Sequence, residues 1–367
     1  MLFLSVLGRE PDLSLAELKA KFHHVRQISP VLATFESDST PVLKNFGGSL
    51  KFAEKIDSDP VKYLKNLPEG KITLGLSDYR EKKSKLLNYK RILKRSVRLL
   101  PSENGVISTA SAHHNQLGEK ENRVELIFTP VGTFRSLGAQ NISSYKSRDQ
   151  LRPARDAKVG MLPPKLAQIL INLCGPLENN TTIFDPFCGT GTVLQEALLM
   201  GLSAAGSDKN PKMLEYSKKN LEYLKNSPRF ASEIHLDYTL AENPTDATAD
   251  KFSVLKNTQN LAVASELYLG PPLSSIPSAE KLERLKSDEK SFILAFLKNL
   301  APQIPSGTPL TLAVPAWLRE NGRYSRLFLL DEIKELGYNE RKLSERPLLY
   351  YREGQIVARD IILLRKV

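Results

Sequence analysis

The sequence is poor in cysteine and in long apolar runs. Its two cysteines, Cys174 and Cys188, cannot form a disulfide framework or supply a four-thiolate zinc site. No stretch of roughly 18 apolar residues is present, so no transmembrane helix is expected. The apolar amino-terminal segment lacks a preceding basic region and a small-residue cleavage site, so we interpret it as a strand. These features predict a cytoplasmic protein with no membrane partner.

The composition is otherwise that of a folded chain, with 41% hydrophobic and 25% charged residues, and 367 residues suggest two domains. The net charge is +11, and most of the excess lies in residues 1–140, which contain 22 Lys and Arg against 15 Asp and Glu. A basic excess concentrated in one domain favours a nucleic acid partner.

Part of this charge follows a helical period over residues 79–100, which predicts a basic helix. A solvated outer face is the alternative to nucleic acid binding. The candidate RNA-binding residues are Lys82, Lys83, Lys90, Arg91, Lys94, Arg95 and Arg98.

The first domain begins with a predicted strand over residues 2–7. Ser14 is expected to open a helix, with Glu17 completing a capping box three residues later. A glycine pair, Gly47-Gly48, predicts a tight turn before the next strand. Residues 141–162 show little periodicity, and we interpret them as the connection between domains 1–140 and 163–367.

In the second domain, predicted helices and strands alternate along the chain. Its pattern predicts helices over 165–173, 191–200 and 211–224, with strands over 182–185 and 203–208. This alternation indicates a parallel, doubly wound α/β sheet. Two strand-like runs around Glu353-Gly354 add an antiparallel hairpin near the end of the sequence.

The strongest local signal is the sequence DPFCGTGT at 185–192, which follows a strand and opens a helix. Glycines in such a turn allow a ligand to approach the backbone, and the helix amides favour a polar or anionic group. Asp208 follows the next strand, where a carboxylate can bind ribose hydroxyls. A dinucleotide site would have a third glycine and a P-loop would have G-K-[ST], so S-adenosylmethionine is the leading cofactor candidate.

The motif with its following Glu-Ala resembles motif I of Rossmann-like RNA methyltransferases. The whole chain resembles the THUMP-containing tRNA guanosine N2-methyltransferases that modify nucleotide 10. The resemblance lies in LGREPDLSLAEL, FGGSLKFAEKI, YKSRDQLRPARDAKVGMLPPKLAQILINL and PLLYYREGQIVARDIILL. It implies a Rossmann-like seven-stranded methyltransferase domain preceded by a smaller α+β THUMP-type RNA-binding region.

The resemblance also assigns a cofactor pocket, and its acidic adenine contact falls on Asp246 in the sequence DAT, with Asp237 as a rival. The pocket comprises Pro163, Pro164, Lys165, Asp185, Gly189, Thr190, Gly191, Asp208 and Asp246.

The acceptor loop departs from the family. Amino-methylating relatives carry D-P-P-Y or N-P-P-Y after the fourth strand, whereas this chain has Glu266-Leu267-Tyr268-Leu269. Glu266 aligns with the acidic residue, and Tyr268 is a candidate for stacking on a base. The altered loop admits the same reaction with variant residues, a different target atom, or no catalysis.

We therefore expect methylation of an RNA base amine, with guanosine N2 in tRNA as the favoured target, dependent on S-adenosylmethionine and without a metal. The resemblance also implies a possible small activator subunit. A noncatalytic tRNA-binding protein that retains the fold and a DNA amino-methyltransferase are the alternatives.

Overall fold

The computed structural model describes residues 1–80, 89–155, 161–234, 237–256 and 258–367. The chain divides into two compact units, Met1–Tyr145 and Lys146–Val367. No helix among these residues is long and apolar enough to cross a membrane.

The first unit is an α+β structure with one mixed sheet. The sheet order is β2-β3-β1-β4-β8-β7-β5-β6, in which β5 pairs in parallel with β6 and β7 and the other pairs are antiparallel. Its elements are β1 (Leu2–Leu7), α1 (Pro11–Lys21), β2 (His23–Ser29), β3 (Leu32–Glu36), β4 (Ser49–Lys55), α2 (Pro60–Lys65), β5 (Ile72–Asp78), α3 (Tyr89–Leu93), β6 (Val97–Leu99), α4 (Thr109–His114), β7 (Arg123–Thr129) and β8 (Gly132–Ala139).

The predicted strand over residues 2–7 is confirmed as β1, but the predicted start of the first helix is wrong. α1 begins at Pro11, a residue suited to the first helical turn, and Ser14 and Glu17 lie inside the helix. Their side chains instead form hydrogen bonds with the turn at Gly47-Gly48. Ser14 Oγ donates to Gly48 O over 2.6 Å, and the Glu17 carboxylate accepts from the backbone N–H groups of Gly47 (3.0 Å) and Gly48 (2.8 Å). The capping-box spacing therefore serves a tertiary contact.

The continuous basic helix predicted over residues 79–100 is also wrong. Only Tyr89–Leu93 forms a helix in the described part of this range, and the chain then enters the edge strand β6. Lys94 between them has a positive φ of 50°, which ends the helix. Lys82 and Lys83 lie outside the described residues. Helical periodicity failed here because the buried Tyr89 and Leu93 and the strand residue Val97 pack into one apolar cluster from different elements.

The helix α5 (Ile142–Asp149) spans the division between the units. Beyond Tyr145, the segment we interpreted as a connection is packed within the second unit. Arg148 is buried and forms an ion pair with Glu196, with a 2.6 Å distance from Nε to Oε1. Arg152 Nη1 donates to Thr192 Oγ1 over 2.7 Å. These contacts attach residues 146–155 to the unit that carries the glycine-rich turn.

The second unit is an α/β structure built on a nine-stranded sheet. The main order is β11-β10-β9-β12-β13-β17-β15, with β14 pairing with β13 and β16 with β17. Its elements are α6 (Pro164–Leu173), β9 (Thr182–Asp185), α7 (Thr192–Leu199), β10 (Ser203–Gly206), α8 (Pro211–Asn226), β11 (Tyr238–Leu240), β12 (Leu261–Glu266), α9 (Ala279–Leu300), β13 (Pro309–Leu318), β14 (Tyr324–Ser325), α10 (Leu330–Glu335), β15 (Tyr338–Glu340), β16 (Leu349–Tyr350) and β17 (Val357–Lys366).

The predicted doubly wound parallel sheet is confirmed for β11, β10, β9, β12 and β13. The antiparallel pairing near the end is also confirmed, because β16 and β13 both pair antiparallel with β17. The expected strand number was seven. Seven strands form the main order, and the two short strands β14 and β16 raise the total in the described residues to nine.

Candidate functional site

The candidate site lies where the order of the parallel strands reverses. From β9 the chain proceeds through β10 to β11 on one side, while β12 pairs with the other side of β9. The carboxyl ends of parallel strands meet at one edge, and ligands of doubly wound sheets bind in the crevice at such a reversal. Asp185 ends β9, Glu266 ends β12, and Asp208 follows β10 by two residues. The fold therefore places three acidic residues at this edge.

The turn after β9 has the backbone that its glycines predict. Gly189 and Gly191 have φ values of 50° and 82°, and Gly191 precedes the first residue of α7. A Cβ on Gly191 would lie 2.8 Å from Ser217 Oγ, whereas a Cβ on Gly189 would meet only Phe187 O, at 3.9 Å. Gly191 is thus required for packing, and Gly189 leaves space beside the turn for a ligand.

Asp208 is bound directly to this turn. Its Oδ2 accepts from Gly189 N over 3.0 Å, and its Oδ1 accepts from Asn210 N over 2.8 Å. Burial raises the pKa of Asp208, and these two backbone hydrogen bonds oppose the rise. The structure therefore brings together Gly189 and Asp208, two residues that the sequence analysis assigned to the same pocket.

Asp185 is buried, with 3% of its surface exposed. Its Oδ1 accepts from Ser265 Oγ over 2.5 Å and from Phe187 N over 3.1 Å. Burial raises the pKa of Asp185 to about 7, and the nearby carboxylates of Asp208 and Glu266 add to the rise. Asp185 thus connects the ends of β9 and β12 and holds the start of the glycine turn.

The structure separates the two candidates for the adenine contact. Asp237 precedes β11, at the end of the strand opposite to the crevice, and its exposed carboxylate pairs with Lys225 over 2.8 Å. Asp246 follows β11 at the crevice end, and the N–H of its neighbour Thr245 donates to Asp208 O over 3.0 Å. The Asp246 carboxylate accepts from Thr248 N over 2.9 Å, and this bond lowers its pKa. The position favours Asp246 over Asp237.

The other pocket candidates lie at or just before the first residues of α6 and α7. Pro163 immediately precedes α6, Pro164 is its first residue, and Lys165 is half-buried in its first turn. Burial lowers the pKa of Lys165, and the positive charge of Arg148 lowers it further. Thr190 is buried, and its carbonyl accepts from Asn220 Nδ2 over 2.9 Å.

Cys188 within the turn is buried, and burial raises the pKa of its thiol well above the ordinary value. A thiol with a raised pKa is a poor nucleophile at neutral pH, which agrees with a packing role.

Within the described ranges, no cluster of three or more His, Cys, Asp or Glu residues is arranged to hold a metal ion.

The two candidate residues of the acceptor loop differ in exposure, because Glu266 is largely buried and Tyr268 is exposed. Glu266 forms a largely buried ion pair with Arg359 of β17, in which Arg359 Nε donates to Oε1. Burial raises the pKa of Glu266, and Arg359 opposes this effect. Tyr268 has 54% of its surface exposed, and its ring lies 6.4 Å from that of Phe292 in an edge-on arrangement. The site of Glu266 therefore includes a cation that the sequence analysis did not foresee.

Sequence reasoning also missed Glu289. This residue of α9 has 3% of its surface exposed, and its buried Oε2 has no hydrogen-bond partner among the described residues. Burial raises its pKa to about 7. A Cβ on Gly270 would lie 3.4 Å from Glu289 Oε1, so the carboxyl group lies against the acceptor loop. The available signal was an acidic residue at an inward position of an amphipathic helix, where Leu285 and Phe292 occupy neighbouring turns.

The basic residues of the first unit have different roles. Arg95 donates hydrogen bonds to the carbonyls of Leu67, Pro68 and Gly70, so its guanidinium holds a neighbouring turn. Four other candidates are exposed on or beside α3 and β6. They are Lys90, Arg91, Lys94 and Arg98.

Comparison with known proteins identifies one segment of the second unit that resembles methyltransferases. A family of RMKL-like methyltransferase domains matches residues 152–234, which include α6, β9, the glycine turn and Asp208. The chain is also similar over a short stretch to two tRNA (guanine(10)-N2)-dimethyltransferases. The protein of Methanothermobacter thermautotrophicus is 44% identical over 64 residues, and that of Pyrococcus abyssi is 47% identical over 62 residues. The resemblance to tRNA guanosine N2-methyltransferases is thus confirmed over about a sixth of the chain.

The extent of these similarities is limited. The aligned segment is 17% of this chain and spans 19% and 18% of the two relatives, about a fifth of their length. Among solved structures, TrmN from Thermus thermophilus aligns over 100% of both chains with 16% identity and a TM-score of 0.45.

Proposed function

We propose that this chain transfers a methyl group from S-adenosylmethionine to N2 of a guanosine in tRNA. One observation carries the proposal. The segment 152–234, which matches the RMKL-like methyltransferase family, contains the glycine turn and Asp208, and these lie at the strand reversal of a doubly wound sheet. The chain is also 44–47% identical over 62–64 residues to two tRNA (guanine(10)-N2)-dimethyltransferases. Sequence similarity and a ligand-binding position therefore coincide in the same residues.

The residues at this edge fit the cofactor. Gly189 leaves space beside the turn, Asp208 is positioned to accept hydrogen bonds from ribose hydroxyls, and Asp246 is the candidate for the adenine amine. When bound, S-adenosylmethionine supplies a methyl group that its sulfonium already activates. Pro163, Pro164 and Lys165 at the start of α6 complete the proposed pocket.

The acceptor side must orient a weak nucleophile. The lone pair of an exocyclic guanine nitrogen is delocalised into the ring, so alignment of the amine governs the rate. We assign this role to Glu266. A carboxylate offers about four acceptor positions, and the ion pair with Arg359 uses Oε1. Arg359 fixes the direction of the carboxylate, and the exposed ring of Tyr268 provides a face for base stacking.

The first unit supplies RNA binding in this proposal, as a THUMP-type region. Its support is the excess of basic residues over residues 1–140 and the exposure of Lys90, Lys94 and Arg98. Phosphate contacts of this kind contribute affinity without reading sequence. The small activator subunit stays a prediction from the family resemblance.

A noncatalytic tRNA-binding protein is the second candidate. The observation that favours it is the ion pair between Glu266 and Arg359, which occupies one oxygen of the Glu266 carboxylate. Glu266 begins the loop at which amino-methylating relatives carry D-P-P-Y or N-P-P-Y. Such a protein would bind cofactor and tRNA without turnover.

Nucleoside mass spectrometry distinguishes these functions. The purified full chain is incubated with unmodified bulk tRNA and methyl-labelled S-adenosylmethionine, and the tRNA is digested to nucleosides. Label in N2-methylguanosine or N2,N2-dimethylguanosine supports the proposal. Label in another nucleoside reassigns the target atom. Binding of both ligands without any labelled nucleoside supports the noncatalytic candidate, and a parallel incubation with double-stranded DNA tests the DNA alternative.

A further inference from the structure

Glu289 stands out among the buried acidic residues of the second unit because nothing assigned so far explains it. Asp185 is hydrogen-bonded by Ser265, and Glu196, Glu266 and Asp360 pair with arginines. Glu289 has 3% of its surface exposed, yet its Oε2 has no hydrogen-bond partner in the part of the chain that the structure describes. Glu196 Oε2 and Asp360 Oδ1 are also unsatisfied, but each of those carboxylates pairs with an arginine. A buried carboxyl oxygen without a partner is destabilising, so Glu289 calls for an explanation.

The surroundings of Glu289 place it at the acceptor side of the site. Glu289 Oε1 lies beside Gly270, four residues after Glu266. One turn further along α9, the ring of Phe292 lies 5.5 Å from Phe187 in the glycine-turn segment and 6.4 Å from Tyr268 in the acceptor loop. The carboxyl group is therefore next to an aromatic cluster that connects the cofactor turn with the acceptor loop.

The loop around Gly270, which lies beside Glu289 Oε1, is largely exposed. Tyr268, Pro271 and Pro272 are exposed, and Gly270 is half-exposed with a positive φ of 81°. Segments with few buried contacts open at low free-energy cost. Gly270 is the residue of this loop that lies beside the carboxyl group, and a displacement of the loop at Gly270 is expected to open access to Glu289 Oε1.

Guanine matches a carboxylate at this position. Its N1–H and one N2–H point in the same direction, and the ionised form of Glu289, which dominates above its pKa of about 7, can accept both with its two oxygens. Adenine presents an acceptor at N1 and would leave one oxygen facing a lone pair. We propose that Glu289 is the residue that selects guanine, by accepting hydrogen bonds from N1–H and N2–H of the acceptor base. This inference rests on the proposed function and adds a second carboxylate to it, since Glu266 is assigned to the amine alone.

The test compares two acceptor bases in the same tRNA. After the modified guanosine has been mapped, a ligated tRNA carries either guanosine or 2-aminopurine at that position. 2-Aminopurine keeps the amine and lacks N1–H. The parent protein is expected to prefer guanosine by at least about tenfold in kcat/KM, in line with a hydrogen bond to a charged group. Glu289→Gln places an amide N–H₂ against the guanine donors and should remove most of that preference.

Two further variants serve as controls. Glu283→Gln removes the same charge from an exposed position on α9 and should keep the parent's preference. Glu289→Asp keeps a carboxylate and should retain a guanosine preference at a lower rate. Affinity for S-adenosylhomocysteine, measured by calorimetry, should be unchanged in all three variants, which shows that the cofactor side is folded.

The outcomes separate this inference from the function on which it rests. If the parent methylates guanosine and Glu289→Gln keeps the full preference over 2-aminopurine, Glu289 does not read the base, and the proposed function stands. If the parent methylates no tRNA nucleoside, both fall together. A loss of preference in Glu289→Gln alone, with normal cofactor affinity, establishes the assignment.

Discussion

Ser265 Oγ donates a 2.5 Å hydrogen bond to Asp185 Oδ1, joining the carboxyl ends of β12 and β9 at the strand reversal. The bond connects the segment that precedes the acceptor loop with the segment that opens the cofactor turn. Because both strand ends are fixed by one buried carboxyl group, its protonation state affects the stability of the whole edge.

Asp185 makes the stability of the protein depend on pH. Burial raises its folded-state pKa to about 7 from an ordinary value of 3.8. Between about pH 4 and 7 the folded state therefore binds more protons than the unfolded state, and stability falls as pH rises. Asp185→Asn removes the charge and keeps an acceptor for Ser265. At pH 8 the variant should be more stable by up to about 4 kcal/mol, the equivalent of about three pKa units.

Urea denaturation at pH 5 and pH 8 checks this expectation. Glu289, whose pKa burial also raises to about 7, titrates in the same window and should leave a residual pH dependence in Asp185→Asn. The double variant with Glu289→Gln should be flatter still. Equal destabilisation of Asp185→Asn at both pH values would contradict the assignment.

Asp208 should be required for cofactor affinity. Asp208→Ala removes the proposed ribose contact and the acceptor for Gly189 N, so we expect affinity to fall by about 1 to 3 kcal/mol. Isothermal titration calorimetry with S-adenosylhomocysteine measures the change. Asp237→Ala is the matched control, because that exposed carboxylate lies at the opposite end of β11. An unchanged affinity in Asp208→Ala would reject the ribose assignment.

The exposed basic residues beside α3 and β6 should contribute to the electrostatic part of tRNA binding. Replacing Lys90, Lys94 and Arg98 by glutamine should weaken binding and flatten its dependence on salt, by about one unit of slope for each phosphate that is no longer neutralised. Arg95 is left intact because its guanidinium binds the carbonyls of a structural turn. Filter binding over a salt series gives the slope.

A control for net charge replaces three exposed lysines of the second unit, namely Lys218, Lys281 and Lys298. If the first-unit variant and this control change the slope equally, the residues beside α3 and β6 form only a solvated surface.

Glu17 should stabilise the first unit. Its carboxylate is fully buried and accepts from the N–H groups of Gly47 and Gly48, so Glu17→Ala leaves two buried donors unsatisfied. We expect a loss of about 2 to 4 kcal/mol in the free energy of unfolding. Glu36→Ala, at an exposed carboxylate, should change it by less than about 0.5 kcal/mol. Similar midpoints for the two variants in urea would argue against a role for the Glu17 contact.

The sequence predicted the features that local periodicity and turn chemistry control. The parallel, doubly wound sheet, the glycine turn and the position of Asp208 were predicted from strand, turn and helix signals, and the turn and Asp208 lie within about 25 residues of each other. Prediction from the sequence failed for contacts between residues that are far apart along the chain. The pairs Ser14–Gly48 and Glu266–Arg359 span 34 and 93 positions, and no local pattern reveals them. The basic helix failed for a related reason, since its apolar residues pack from a helix and an edge strand.

Glu266 should be required for methyl transfer more than for binding. As the residue that orients the acceptor amine, it acts on the substrate, so Glu266→Gln should lower kcat by a hundredfold or more, the scale that follows from a misplacement of roughly 1 Å. Affinity for cofactor and for tRNA should stay close to that of the parent. Arg359 is buried beside Glu266 and would lose its anionic partner, so thermal unfolding must accompany the kinetics. The double variant Glu266→Gln with Arg359→Met removes that unpaired charge; it should recover stability without recovering kcat. If the parent transfers methyl groups and Glu266→Gln does so at the same rate, the orienting role belongs to another residue.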